Sequence, residues 1–355
     1  MFVSIHHKSA SPSRQSSLRR KRLSGRVWVF LTLTLLMLFA GSYLALIVHL
    51  QPSRKMPILF NWAGWYGNDA LLQSILAIRL PRLIAAAIVG AALGVAGCML
   101  QALTSNELAD PEVMGINQGA NMAIAVLLVL LQFQTFRFFT VTASMLGTAF
   151  SGTLIYWLSL RSRFHPGGVV LTGLVNSLFF SSMTTTLIIF HDTDLYQLLR
   201  WMAGDLSGMS WEDVRFSLYT LVPTVFLCGL SAGQLNILSM SEETAVSVGQ
   251  RLSLVRTGVI AGIIVLVGAS TAICGPIGFI GLMAPHIVRS VCGLNYRVIL
   301  PLAAMTGSVL LVWADLAGRL LFYPLEAPVG MITAFIGAPF FIILMRLRGK
   351  GGRSI

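Results

Sequence analysis

Residues 235–256 read LNILSMSEETAVSVGQRLSLVR, a polar stretch set between two long apolar runs. Ser241 is placed to cap a helix whose first turn carries Glu242 and Glu243, the charge sign a helix N-terminus favours. Ala245, Val246 and Val248 give it a short apolar surface, and Gly249 reads as its stop. Gln250, Arg251 and Arg256 follow, just before the next apolar run. A compact helix–Gly–helix element between membrane segments has two readings. It is an ordinary capped loop, or it is a platform on which a separate subunit docks to drive the membrane part.

The rest of the chain bears on that choice. Its 355 residues are 55% hydrophobic and 11% charged, less than half the roughly 25% charge of a soluble domain. Apolar runs long enough for a bilayer, about 20 residues each, recur from end to end. The fold class is therefore all-α, a polytopic membrane protein. A net charge of +12 suits nucleic acid in general, but here the basic residues gather at the ends of apolar runs, so no nucleic-acid partner is expected. The four cysteines, Cys98, Cys228, Cys274 and Cys292, lie in or beside apolar runs without metal-site spacing. They read as small buried hydrophobes, and neither a metal nor a cofactor is expected.

Residues 1–26 are rich in Ser and Arg and read as a basic, disordered cytoplasmic tail. The run 27–50 is too long for a signal-peptide core and is read as a retained helix. Further spans are placed near 82–104, 112–131, 138–160, 167–190, 213–232, 257–274, 279–294, 298–317 and 328–346, ten in all, within one permease domain, 27–346. A short basic tail, 347–355, follows. With both termini cytoplasmic, 17 of the 25 basic residues fall inside and eight outside, the bias that sets orientation. The outer arginines then need a cause. Gly90, Gly94 and Gly97, and Gly258 and Gly262, have the spacing of close helix packing.

Four further stretches carry chemistry. IRLPRL, 78–83, puts Arg79 and Arg82 around Pro81 at the outer mouth of a span, as headgroup anchors or as a basic knob for an acidic partner. TSNELADPEVMGINQGA, 104–120, is an irregular polar join of two spans, tolerated at a membrane edge where it lines protein or a water-filled cavity. CGPIGFIGLMAPHIVRS, 274–290, breaks an apolar run with glycine and proline, a pattern found along transporter pathways. Its His286 reads as structural. WADLAGRLLF, 313–322, sets Asp315 and Arg319 at i,i+4, an intrahelical ion pair. No GxxxxGK[ST], HExxH or GxSxG occurs, so neither a phosphate-binding loop nor a catalytic site is visible and the chain is not read as an enzyme.

RLPR (79–82), the run 90–120, WMAGDLSGMSW (201–211), the 239–256 element, GPIGFIGLMAPHIVR (275–289) and ADLAGRL (314–320) together resemble the FecCD-type permeases of iron-chelate and vitamin B12 ABC importers. The resemblance runs from about residue 70 to the C-terminus. It implies the type II ABC importer permease fold, with about ten transmembrane helices, working as a homodimer or as a heterodimer with a related permease in the bacterial inner membrane. It implies a cytoplasmic ATP-binding subunit, held through Ser241, Glu242, Glu243, Ala245, Gly249 and Arg251. It implies a periplasmic substrate-binding protein, met by Arg79, Arg82 and Arg319. An inner gate falls at Asn106, Glu107 and Leu108 and at Pro166 and Gly167. Where the family usually has Asn-Pro-Leu, this chain has Glu107. The cargo implied is a ferric siderophore, with haem or cobalamin as alternatives. A self-sufficient secondary transporter is the remaining class. It would need ion-coupling residues in the membrane, for which Asp315 and His286 are the few candidates.

Overall fold

The computed structural model describes residues 12–47, 74–129, 137–161, 166–190, 195–240, 242–247, 249–323 and 325–351. The centre of the bundle is α2, Leu80–Thr104, entered through a π-turn at Ile75–Arg79. Pro81 stands in its first turn, where a missing N–H costs nothing. Almost every residue of α2 from Ala85 to Thr104 is buried, although ten of the helix's 25 residues are glycine or alanine. The reason is close approach. A Cβ added at Gly90, Gly94 or Gly97 would run into the backbone oxygens of Gly307, Ala303 and Gly281. In lipid, packing contacts of this kind hold helices together, because burying apolar surface gives little gain there.

Around α2 stand α1 (Pro12–Ile47), α3 (Ile116–Val129), α4 (Arg137–Arg161), α5 (Pro166–Phe190), the short α6 (Leu195–Met202) and α7 (Trp211–Leu230). Then come two small helices, α8 (Ala232–Leu238) and α9 (Glu242–Ser247), followed by α10 (Leu252–Cys274), α11 (Ile280–Cys292), α12 (Tyr296–Leu321) and α13 (Val329–Gly351). Among the described residues eight helices are long and apolar enough to cross a membrane. Two of the ten expected spans are shorter. The span placed at 112–131 is α3, 14 residues, and that at 279–294 is α11, 13 residues. At 1.5 Å per residue each reaches about 20 Å, short of a hydrocarbon core of about 30 Å. Backbone outside any helix completes both.

Those two non-helical segments pack largely against protein, where polar groups of their backbone find partners. The Gly115 carbonyl, at a left-handed φ of 74°, accepts from Ser151 Oγ (2.8 Å) and Asn176 Nδ2 (3.2 Å), midway along α4 and α5. The break between α10 and α11 is filled by the turn after α6. Asp205 donates its N–H to the Cys274 carbonyl at 2.8 Å, and Gly330 donates to Gly204 at 3.1 Å. The two irregular segments also meet each other: a Cβ at Gly278 would stand 3.0 Å from Glu112 Cγ.

At the chain ends, the helix α1 begins at Pro12, ahead of its apolar span Gly25–Ile47. Residues 1–11 lie outside the described ones. Likewise α13 runs on to Gly351, through Arg348 and Lys350.

Candidate functional site

Three places hold the residues singled out by sequence. At one end of the bundle, the near end, lie α8 and α9. In α8, Ala232, Leu235 and Leu238 recur every three residues and all are buried, giving the helix one apolar stripe. Asn236 fixes it to the start of α12, donating to Asn295 Oδ1 (3.1 Å) and accepting from the Tyr296 N–H (2.9 Å). Glu242 opens α9; Ser241, its expected cap, lies outside the described residues. Gly249 has a left-handed φ of 83°, and Gln250 donates its N–H back to the Ala245 carbonyl at 3.1 Å. That is the six-residue closure of a glycine-stopped helix, so Gly249 ends α9 as expected. Ala245 is 1% exposed and anchors α9 inward. The outward face carries Met240, Thr244, Ser247 and Arg251.

The second place is the turn 105–115. Ser105 takes a left-handed φ of 47° as α2 ends. Asn106 closes a tight turn: its Oδ1 accepts from the Leu108 N–H at 3.0 Å. Asn106, Glu107 and Leu108 are half-buried. Asp110 repeats the device, accepting from the Glu112 N–H at 2.8 Å. Its other oxygen lies 3.1 Å from where a Gly281 Cβ would stand, against the first turn of α11. Sequence reasoning passed over the residue that ties this region together. Gln101, 2% exposed, donates to the carbonyls of Ala109 (3.3 Å) and Gly281 (3.4 Å) and accepts from Arg289. Pro166 and Gly167 begin α5. That helix meets the turn further along, with Gly173 against Met114 and Asn176 against Gly115. Glu112 also accepts from Asn117 at 2.6 Å.

The third place is at the far end, the length of α12 away. The expected pair is present, Arg319 to Asp315 at 3.0 Å. It is half of a larger clasp. Arg82 donates through Nε (2.9 Å) and Nη2 (2.7 Å) to Asp315 Oδ1 and through Nη1 (2.6 Å) to Glu326. Arg319 and Arg79 also donate to the carbonyls of Ala45 (3.1 Å) and Leu46 (2.9 Å) at the end of α1. Arg82 is 6% exposed, its guanidinium taken up by two carboxylates of its own chain. A guanidinium presents its donors as a rigid fork, which suits it to hold two carboxylates at once. Glu326 was missed by sequence reading, because it lies 244 residues from Arg82 and in a loop. A further arginine, Arg200, pairs with Asp205 at 2.7 Å within the turn that fills the α10–α11 break.

Comparison with known proteins agrees with this architecture. The model of the FecCD transport family matches residues 30–347. The Fe(3+)-citrate import system permease protein YfmD of Bacillus subtilis is 36% identical over 334 residues, 92% of this chain and 97% of that one. The hemin transport system permease protein HmuU of Yersinia pestis is 35% identical over 293 residues, 81% and 87% of the two chains. Among solved structures, an inward-facing metal-chelate type ABC transporter superposes with a TM-score of 0.78 at 26% identity, covering 90% of this chain and 98% of that one. The chain belongs to the FecCD transport family.

Proposed function

We propose that this protein is the permease subunit of an ABC importer that carries a ferric siderophore across a bacterial inner membrane, with both termini in the cytoplasm. Two copies, or one copy and a related permease, form the pathway between them. One observation carries the reading: the chain has no phosphate-binding loop of its own, yet it folds a platform of two short helices, α8 and α9, between two spans. A platform with no engine in the same chain calls for a partner that supplies one. The relatives named for iron citrate and hemin import support the cargo class.

On this reading the ATP-binding subunit docks on α8–α9, meeting Glu242, Glu243 and the outward face of Thr244, Ser247 and Arg251. The turn at Asn106–Leu108 and the start of α5 at Pro166–Gly167 form the inner gate. Gln101 and Asp110 link that turn to α11, which follows an unwound segment, so the gate and the broken helix move as one body. The clasp at the far end seats the substrate-binding protein. Glu326, with its side chain 41% exposed, is the replaceable partner of Arg82, whereas Asp315, at 4%, is not. A carboxylate from the binding protein reaches Arg82 by taking the place of Glu326. Arg79 and Arg319 complete the seat.

The test is reconstitution. The chain is purified alone and with the ATPase and binding protein encoded beside it, and ATP hydrolysis and ferric-chelate uptake are measured. Hydrolysis only in the presence of the ATPase, stimulated by the loaded binding protein, is the expected result. Recovery of the ATPase that is unchanged by Glu242→Lys with Glu243→Lys, together with unchanged uptake, would reduce the platform to a loop.

A further inference from the structure

Gly258 and Gly262 have the spacing of a close helix contact, and only one of them makes it. A Cβ at Gly262 would meet Cys228 Sγ at 2.9 Å and Met99 Cε at 3.2 Å. A Cβ at Gly258 would meet nothing within 4 Å. Gly258 instead opens a cleft of about 390 Å³ between α7 and α10, floored by Met99 of the central helix. On α10 the cleft runs from Leu254 to Val265, about 16 Å at 1.5 Å per residue. That is the depth of one leaflet, half of a hydrocarbon core of about 30 Å. A volume of about 390 Å³ for the centres of water-sized spheres, spread over that length and widened by a water radius on each side, gives a channel about 8–9 Å across, narrower than a helix of about 10–12 Å. Its walls are mainly apolar. The hydroxyls of Thr224 and Ser231 are turned back to their own helix, onto the Thr220 carbonyl at 2.6 Å and the Cys228 carbonyl at 2.7 Å.

The mouth is at the near end and differs in kind. Gln234 stands there, and the Arg297 guanidinium is 3.7 Å from where a Cβ of the adjacent Gly233 would be. Arg251 is close in sequence to the mouth residue Leu254. Both arginines are exposed, and neither pairs with a carboxylate among the described residues. An apolar slot one leaflet deep, under a cationic rim, matches a lipid with a hydrocarbon chain and a negative headgroup.

We propose that the α7–α10 cleft is a binding site for an anionic phospholipid of the near-side leaflet, one acyl chain in the slot and the phosphate at Arg297. The site needs only that the bundle spans a bilayer. It lies at the root of the α8–α9 platform, where Gln250 Nε2 donates to the Gln234 carbonyl at 3.0 Å. Occupancy therefore stiffens the joint between the platform and α10.

The experiment is native mass spectrometry of the full chain released from detergent, titrated with palmitoyl-oleoyl phosphatidylglycerol or phosphatidylcholine. The wild type retains one phosphatidylglycerol per chain in preference to phosphatidylcholine by about fivefold, the worth of one juxtamembrane arginine toward an acidic surface. Gly258→Leu fills the slot from open space and abolishes that retention with no fall in melting temperature, since leucine favours a helix over glycine. Leu254→Trp, which blocks the mouth from an exposed position, does the same and serves if Gly258→Leu folds poorly. Arg297→Gln keeps the bound chain but removes the headgroup preference. Equal retention by the wild type and both blocking variants overturns the proposal, and so does equal affinity of the wild type for the two lipids.

Discussion

Arg82 holds three parts of the chain at once: α2, through its own backbone, α12 through Asp315, and the loop before α13 through Glu326. Removing one partner of a buried ion pair leaves the other uncompensated, at about 3–5 kcal/mol. Arg82→Ala should therefore lower the melting temperature and membrane yield as well as uptake. Arg79, which donates to a helix-end carbonyl, should cost about 1 kcal/mol when replaced. Thermal unfolding of the two variants in detergent separates the cases, and equal stability would mean that the clasp is not structural. Glu326 gives a finer test. If it shields Arg82, Glu326→Gln should tighten binding-protein capture, read by co-purification. Weaker capture would show that Glu326 is itself part of the seat. The Asp315–Arg319 pair was legible because i,i+4 spacing makes helix neighbours. The burial of Arg82 was not, because its carboxylates lie 233 and 244 residues away and no local pattern brings them there.

Among the elements, α9 depends on one backbone conformation. Nothing lies within 4 Å of a Cβ at Gly249, so substitution acts there through φ alone. An alanine in that left-handed position should cost about 1–2 kcal/mol, loosening the end of α9. Asparagine, which tolerates the region, should cost less. Pull-down of the ATPase from membranes should fall for Gly249→Ala and hold for Gly249→Asn. Equal recovery would mean that the platform's shape is irrelevant. The stop at Gly249 was readable from residue type. The packing of Gly90, Gly94 and Gly97 was readable from spacing. The same spacing at Gly258 and Gly262 misled for Gly258, because a spacing names a helix face without saying what stands opposite it. Hydropathy likewise could not show that α3 and α11 are short. Val113 and Met114 continue the apolar run of α3, and only the bonds from Ser151 and Asn176 to Gly115 reveal unwound backbone there.

At the scale of the molecule, a platform and a clasp sit at opposite ends of α12, with a seam of unwound backbone between them around Gln101. Composition and run length gave the helical membrane class. The motifs gave the two ends, and the seam came from contacts distant in sequence. On the proposed function this is a driven pathway with no engine of its own. The most direct test is uptake of a labelled ferric chelate into proteoliposomes holding the chain with its ATPase, the binding protein outside and ATP within. The predicted result is uptake that requires ATP, the ATPase and the loaded binding protein together, and that persists when ion gradients are collapsed. Uptake by the chain alone, driven by a proton or sodium gradient, would contradict it.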